Sequence, residues 1–359
     1  MNEKELIPAL IYCRDAFNTP NGKTAHGLVR FTRRYRVLAV IDPAWSGRDA
    51  GEVLDGREAN VPIVDSVESA AGISDTSGMY ATHLVVGLAP DGGRLGLRYR
   101  EDIARAIGMG LHVHSGLHDF LSEDAELLEL AQRHAVVLTD VRKPPPVSGL
   151  HFFSGEIERV DSLKVAVLGT DSAVGKRTTA WLLVQELEAR GVSVELIGTG
   201  QTAWMQGVRY GVIMDSLVND FVSGEIEHAV CTAWRERHPR VIVVEGQGSL
   251  MNPAYPGGFE ILAAARPDIV IMQHAPARKD YDGFPGYPIH PLQRQIHAVD
   301  VISSRPVVAI TVNHENLSSA ETEAACLSIQ AETGLPAMDV LRQGAAELAD
   351  VVLAHEKRK

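Results

Sequence analysis

The stretch from residue 164 to residue 180, KVAVLGTDSAVGKRTTA, constrains the fold more than any other part of the chain. Four apolar residues lead into Gly169, a loop of small residues follows, and a helical pattern begins at Gly175 and Lys176. This order predicts a strand, a loop that cradles phosphate groups and a helix, as in P-loop NTPases. In such loops a serine or threonine that binds Mg²⁺ follows the lysine, but here the next residue is Arg177.

Arg177 changes the chemistry that is expected of this loop. A guanidinium group adds a permanent positive charge and repels a metal ion, and Thr178 lies about 100° further round the helix. We therefore expect the loop to hold phosphates without Mg²⁺; the alternative is a tight turn with a surface lysine. The residues expected to contact the phosphates are Gly169, Thr170, Asp171, Ser172, Ala173, Val174, Gly175, Lys176, Arg177 and Thr178.

Short apolar runs alternate with helical patterns before residue 140, which predicts a mostly parallel sheet with helices on both faces. The predicted strands are residues 7–12, 37–41, 61–64, 83–88 and 135–139, and the predicted helices are residues 98–109 and 123–133. The three prolines at 144–146 can continue neither a helix nor a strand. We therefore expect a Rossmann-like doubly wound α/β domain over residues 1–146.

The same alternation continues after the phosphate loop and predicts a P-loop NTPase-like α/β domain, with a mostly parallel sheet, over residues 147–359. Its predicted strands are the one before the loop and residues 192–197, 241–245, 269–272 and 307–312, and its predicted helices include residues 176–190 and 220–237. The pattern of residues 203–218 does not distinguish a helix from a strand.

Polar and charged side chains follow the predicted strands of the second domain, where open α/β sheets form ligand crevices. Glu245 ends a buried strand, at the position where P-loop enzymes place an acid that orients metal, water or substrate; a carboxylate that caps a loop is the alternative. Arg278 and Lys279 could hold a substrate carboxylate, or belong to a proline-rich surface loop. The candidate catalytic residues are Glu245, His274 and Asp215, and the candidate substrate-binding residues are Arg278, Lys279 and Gln201.

Composition excludes several other functional classes. A formal net charge of −12 argues against nucleic acid or an anionic membrane as the main partner, and no apolar run approaches the length of a membrane span. The three cysteines are widely separated and the N-terminus has no apolar signal segment, so we expect a reduced, cytoplasmic protein. His112, His114 and His118 suggest a histidine cluster more than a metal site, and we expect no metal.

Two motifs resemble known enzymes. GTDSAVGK at residues 169–176 resembles the phosphate loop of dethiobiotin synthetase, G-T-D-T-x-V-G-K-T, and VEGQG at residues 244–248 resembles that enzyme's second motif. Arg177 and the additional N-terminal domain depart from that pattern. A closer resemblance covers nearly the whole chain: the runs G-T-D-x-A-V-G-K-R-T, G-T-G-Q-T and V-E-G-Q-G-S-L, in this order, are similar to a two-domain family long described as a domain of unknown function and now associated with D-glutamate N-acetyltransferase activity.

This second resemblance implies an N-acetyltransferase that uses acetyl-CoA as the donor and the amino group of D-glutamate as the acceptor. Lys176 and Arg177 would then hold the phosphates of coenzyme A, and Glu245 or His274 would be the base. The alternatives are an ATP-dependent ligase of the dethiobiotin synthetase type, with ATP and Mg²⁺, and a non-catalytic protein that binds a nucleotide or coenzyme A. We also expect a small-molecule substrate, self-association into a homo-oligomer and a role in amino-acid catabolism.

Overall fold

A computed structural model of the chain describes residues 6–356. The strands are β1 Ile7–Tyr12, β2 Tyr35–Ile41, β3 Ile63–Val64, β4 His83–Val86, β5 His112–Ser115, β6 Leu138–Asp140, β7 Leu163–Gly169, β8 Val194–Gly198, β9 Tyr210–Gly211, β10 Val241–Glu245, β11 Ile269–His274, β12 Val307–Val312 and β13 Ala337–Met338. The helices are α1 Lys23–Arg30, α2 Ala50–Asp55, α3 Val67–Ala71, α4 Leu97–Gly108, α5 Ala125–Arg133, α6 Lys176–Ala189, α7 Gln201–Met205, α8 Asn219–Arg237, α9 Gly258–Ala265, α10 Leu292–Ser303, α11 Ser319–Thr333, α12 Val340–Gln343 and α13 Ala346–Glu356.

These elements form two compact units. Unit 1 contains residues 6–144 together with Gln201–Val208, and unit 2 contains Pro145–Gly200 and the described residues from Arg209 onward. The predicted division after residue 146 stays a prediction. It places all of residues 147–359 in one domain, whereas Gln201–Val208 groups with unit 1. Among residues 6–356, no helix combines the length and the apolar character that crossing a bilayer requires.

Unit 1 has a six-stranded sheet in the order β3-β2-β1-β4-β5-β6, and every pair of neighbouring strands is parallel. The predicted doubly wound, Rossmann-like α/β architecture is therefore confirmed. Strands of such a sheet are covered on both faces, so they consist of nearly continuous apolar residues. Leu10 and Ile11 of β1, Val40 of β2 and Val85 of β4 are accordingly fully buried.

Several predicted boundaries in unit 1 differ from the structure by one to three residues, and two of these differences have a clear local cause. Helix α5 begins at Ala125 instead of residue 123, because the Asp124 carboxylate caps it by accepting hydrogen bonds from the backbone amides of Glu126 and Leu127. Strand β6 begins at Leu138 instead of residue 135, because Ala135 has a left-handed backbone conformation with φ of 54°. In both cases a local feature, a helix cap or a left-handed residue, shifts the start of the element along the chain.

A histidine cluster lies on β4 and β5. The His83 ring lies 4.8 Å from the His112 ring and 4.9 Å from the His114 ring, and His114 Nδ1 shares a 2.6 Å hydrogen bond with the Tyr35 hydroxyl. Burial lowers the pKa of both His83 and His114 to about 4, so both rings are neutral at pH 7. Within residues 6–356, no group of three or more His, Cys, Asp or Glu side chains has the arrangement of a metal site.

The segment Gln201–Val208 belongs to unit 1 through buried polar contacts. Thr202 Oγ1 shares a 2.9 Å hydrogen bond with Thr24 Oγ1, and Gln206 Nε2 donates to the carbonyl oxygen of Gly27 at 2.8 Å. Gln201, a predicted substrate-binding residue, is buried; its Oε1 accepts from the Thr202 amide at 2.6 Å and its Nε2 donates to Thr24 at 3.3 Å. These contacts give Gln201 a structural role in unit 1, and its predicted role in substrate binding stays a prediction.

Unit 2 has a seven-stranded parallel sheet in the order β13-β12-β11-β7-β10-β8-β9. The phosphate-loop strand β7 lies at the centre, between β10 and β11. The register places Glu245 beside Val167 and Gln273 beside Gly169, so the carboxyl ends of the three strands meet at one edge of the sheet. This edge carries the phosphate loop and most of the predicted site residues.

Candidate functional site

The phosphate loop turns from β7 into α6 through two residues with positive φ. Ala173 has φ of 50° and Gly175 has φ of 103°, and the latter value strongly favours glycine. Gly175 is also the N-cap of α6, so the cap position has no side chain, and the first turn contains no acid. The N–H groups at the start of a helix and the positive end of the helix dipole together favour an anion at this point.

The carboxylate of Asp171 organises the loop from within the protein. Asp171 is fully buried. Its two oxygens accept hydrogen bonds from the Ser172 amide (2.7 Å), Asn252 Nδ2 (2.8 Å), the Asp282 amide (2.8 Å) and an Arg278 guanidinium nitrogen (2.9 Å). The side chain that was expected to contact phosphate is therefore committed to protein donors. No local sequence pattern indicates this role, because all of these donors except Ser172 are distant along the chain.

Asp171→Asn should lower the free energy of unfolding by about 3 kcal/mol, because it leaves Arg278 without one buried counter-charge and removes acceptors from buried donors. Chemical denaturation of the full chain measures this change. Asp282→Asn is a matched control: it makes the same change of charge at a partly buried carboxylate that accepts from Ser172 Oγ, and it keeps the Asp282 amide. An equal loss of stability in the two variants would contradict the role of Asp171.

The predicted carboxylate-binding residues lie on the loop after β11. Arg278 is mostly buried, and besides its contact with Asp171 it donates to the carbonyl oxygen of Ser172 at 2.8 Å and to Glu315 at 2.6 Å. Its guanidinium is thus held between two protein acids, whereas Lys279 is exposed. Asp215 is also exposed, in a short 3-10 turn. The substrate roles of Arg278 and Lys279 and the catalytic role of Asp215 stay predictions.

Two cations and a buried carboxylate meet on the side of the loop that faces β10. Lys176 is buried and its Nζ donates to the carbonyl oxygen of Asp171 at 2.7 Å. An Arg177 nitrogen lies 3.8 Å from Glu245 Oε1, and Glu245 Oε2 accepts a 3.0 Å hydrogen bond from the Thr199 amide. The expected proximity of Glu245 to the phosphate-loop strand is confirmed. Burial raises the pKa of Glu245, and the charges of Arg177 and Lys176 and the Thr199 hydrogen bond oppose this rise.

His274 and Gln273 lie on the opposite side of the loop, at the end of β11. His274 Nδ1 shares a 3.0 Å hydrogen bond with Thr170 Oγ1, and burial lowers the pKa of its ring to about 4. Gln273 Oε1 accepts from the hydroxyls of Thr179 and Thr311, and its backbone oxygen accepts from the Thr170 amide. Sequence reasoning missed Gln273, although a buried amide in an otherwise apolar strand was a usable signal.

Comparison with known proteins agrees with this architecture. Residues 43–144 match the Rossmann-like DUF1611_N domain and residues 151–349 match the P-loop DUF1611_C domain, both described as domains of unknown function. A D-glutamate N-acetyltransferase from Tritonibacter scottomollicae is 31% identical over 307 residues, which cover 84% of this chain and 88% of that protein. One from a Pseudoalteromonas species is 30% identical over 278 residues, which cover 76% of this chain and 81% of that protein.

A solved structure extends the similarity over almost the whole chain. The crystal structure of a DUF1611 family protein from Anabaena variabilis is 30% identical, superposes with a TM-score of 0.87, and is matched over 97% of this chain and 99% of that chain. Both the order of the two domains and their folds are therefore shared. The chain belongs to the DUF1611 family, with a Rossmann-like N-terminal domain and a P-loop C-terminal domain.

Proposed function

We propose that the protein is an N-acetyltransferase that transfers an acetyl group from acetyl-CoA to the amino group of an acidic amino acid, with D-glutamate as the first candidate. The observation that carries this proposal is the pairing of Arg177, in the place of the metal-binding hydroxyl, with the buried carboxylate of Glu245. Two relatives that bear the name D-glutamate N-acetyltransferase support it.

The charge of the phosphate loop supports coenzyme A as its proposed ligand. The coenzyme is a polyanion with a pyrophosphate and a 3′-phosphate, and the first turn of α6 has no capping side chain at Gly175, carries Lys176 and Arg177, and contains no acidic residue. These two side chains would hold phosphates, and the positive charge of Arg177 takes over the neutralisation that Mg²⁺ provides in phosphoryl-transfer enzymes. When bound, acetyl-CoA supplies an activated thioester.

Glu245 is the base that this geometry favours. An amino acid arrives as an ammonium ion, so one proton must leave before the nitrogen can attack a carbonyl carbon. Burial raises the pKa of Glu245 and makes its carboxylate a stronger proton acceptor than a solvated glutamate. As the new N–C bond forms and the C–S bond breaks, the nitrogen loses its second proton, and the sulfur leaves as a thiolate that takes up one proton to become the free thiol. His274 is neutral at pH 7, but with a pKa of about 4 it is a weak base.

A two-channel assay tests the proposed function. Purified full-length protein is incubated with D-glutamate and either acetyl-CoA or ATP with Mg²⁺, and free thiol and free phosphate are measured. We expect thiol release that depends on D-glutamate and is unchanged by EDTA; L-glutamate and D-aspartate then define the acceptor. Phosphate release that depends on a carboxylate substrate would instead indicate a ligase of the dethiobiotin synthetase type. Tight ligand binding without release of either product would indicate a binding protein.

A cytoplasmic location, self-association and a role in amino-acid catabolism stay predictions.

A further inference from the structure

Thr199 is completely buried, and its side-chain hydroxyl makes no hydrogen bond to the described residues. It follows β8 and is held by its backbone on both sides, because its amide donates to Glu245 Oε2 at 3.0 Å and its carbonyl oxygen accepts from the Met214 amide at 3.2 Å. Its Oγ1 nevertheless has no hydrogen-bond partner among the described residues. Buried hydroxyl groups without partners are rare and cost stability, so each requires an explanation.

The next residue, Gly200, has room for a larger side chain apart from its chain neighbours. A methyl group added to Gly200 would meet only Gln247 Oε1 within 4 Å, at 3.7 Å, and Gly200 does not have a positive φ. The backbone just after Glu245 is closely packed, since a methyl group on Gly246 would lie 2.2 Å from the carbonyl oxygen of Val167. A ligand group would therefore have room at Gly200, next to Gln247, and no room at Gly246.

We propose that Thr199 Oγ1 and the Glu245 carboxylate form the subsite for the amino group of the acceptor, and that the space beside Gly200 admits its α-carbon. This inference rests on the proposed N-acetyltransferase function. An ammonium group has three N–H donors, and the two side chains offer it two oxygen acceptors on the ends of neighbouring strands. When Glu245 has taken one proton, Thr199 keeps its hydrogen bond to the neutral amine and fixes the direction of the nitrogen lone pair.

Burial would make the Thr199 hydroxyl an effective binding group, which offsets the stability that an unpaired buried hydroxyl removes. Hydrogen bonds are stronger where water is excluded, so a buried acceptor pair selects strongly for a group with N–H donors. Within the described part of the chain the Thr199 hydroxyl is unpaired, and the acceptor would satisfy it on binding. This predicts that removing the hydroxyl weakens binding of the acceptor without weakening the fold.

Thr199→Val tests the proposal, because valine has the shape of threonine without the hydroxyl. We expect the KM for D-glutamate to rise by about 10- to 100-fold, the loss that follows when one buried hydrogen bond to a charged group is removed. The KM for acetyl-CoA should stay within about twofold of wild type. The melting temperature should be equal or higher, since no protein partner is lost. Thr199→Ser restores the hydroxyl and should restore the KM for D-glutamate.

Gly200→Ala is a second, independent variant, which fills the proposed space beside Gly200. It should raise the KM for D-glutamate without lowering the melting temperature. An unchanged KM for D-glutamate in Thr199→Val would overturn the subsite. A parallel rise of the KM values for D-glutamate and acetyl-CoA, together with a lower melting temperature, would also overturn it.

Calorimetric titration with D-glutamate separates this inference from the proposed function. Wild-type protein that releases thiol, together with a Thr199→Val variant that binds D-glutamate equally well, overturns the subsite alone. Wild-type protein that binds D-glutamate through Thr199 but releases no thiol overturns the proposed function and keeps the amine subsite. Wild-type protein that neither binds D-glutamate nor releases thiol overturns both.

Discussion

Replacing Glu245 with glutamine is expected to lower kcat for acetyl transfer by about 10²- to 10⁴-fold, the usual contribution of a general base. Glutamine has nearly the same shape, and its amide oxygen can still accept the hydrogen bond from the Thr199 amide. The KM for acetyl-CoA should not rise, because the substitution leaves Lys176 and Arg177 in place. Steady-state measurement of thiol release gives both parameters.

The pH dependence of kcat/KM provides a second test of the Glu245→Gln variant. Burial raises the pKa of Glu245, so as the pH falls the base becomes protonated and kcat/KM declines at a pH above the ordinary glutamate pKa of 4.5. This acid limb should disappear in Glu245→Gln. A raised pKa in the folded state means that ionised Glu245 opposes folding above pH 4.5, so at pH 7 the variant should be at least as stable as wild type.

Two controls make this result specific to the base. Glu158→Gln makes the same chemical change at an exposed glutamate that pairs with Arg266, and it should leave kcat within about twofold. His274→Asn removes the other candidate base. If Glu245→Gln keeps full turnover while His274→Asn loses it, the base is His274 and the assignment to Glu245 is wrong.

Removing either cation of the phosphate loop should weaken the binding of coenzyme A. A hydrogen bond between a charged side chain and a phosphate contributes about 1.5 to 3 kcal/mol, so we expect Lys176→Met and Arg177→Thr each to raise the Kd by about 10- to 100-fold. Calorimetric titration with coenzyme A measures the affinity. Arg190→Thr is the matched control, because Arg190 follows the last turn of the same helix and pairs with Glu186 and Asp350.

Arg177→Thr also tests why the loop has an arginine. Wild-type protein should bind coenzyme A equally well with Mg²⁺ or with EDTA, since a guanidinium occupies the place of the metal-binding hydroxyl. The threonine restores the ordinary P-loop pattern, so binding by the variant should become stronger when Mg²⁺ is added. An unchanged affinity for coenzyme A in Arg177→Thr, or a strict requirement of the wild type for Mg²⁺, would falsify the metal-free phosphate site.

The sequence by itself determined the α/β architecture and the position of the phosphate loop. Buried parallel strands are apolar on both faces, so they are visible as short apolar runs, and the predicted strands Ile7–Tyr12, Val241–Glu245 and Val307–Val312 agree with the structure to the residue. The proximity of Glu245 to the loop was also predictable, because strand ends in one parallel sheet meet at the same edge.

Only the tertiary structure decided which polar side chains are free to meet a ligand. Asp171 and Arg278, both expected in the ligand site, bond to each other across 107 positions of the chain, and Gln201 bonds to Thr24 across 177. No local pattern encodes such contacts, because they depend on which loops the packed sheets bring together. The same holds for Thr199, whose significance lies in a hydroxyl that the fold buries without a hydrogen-bond partner among residues 6–356.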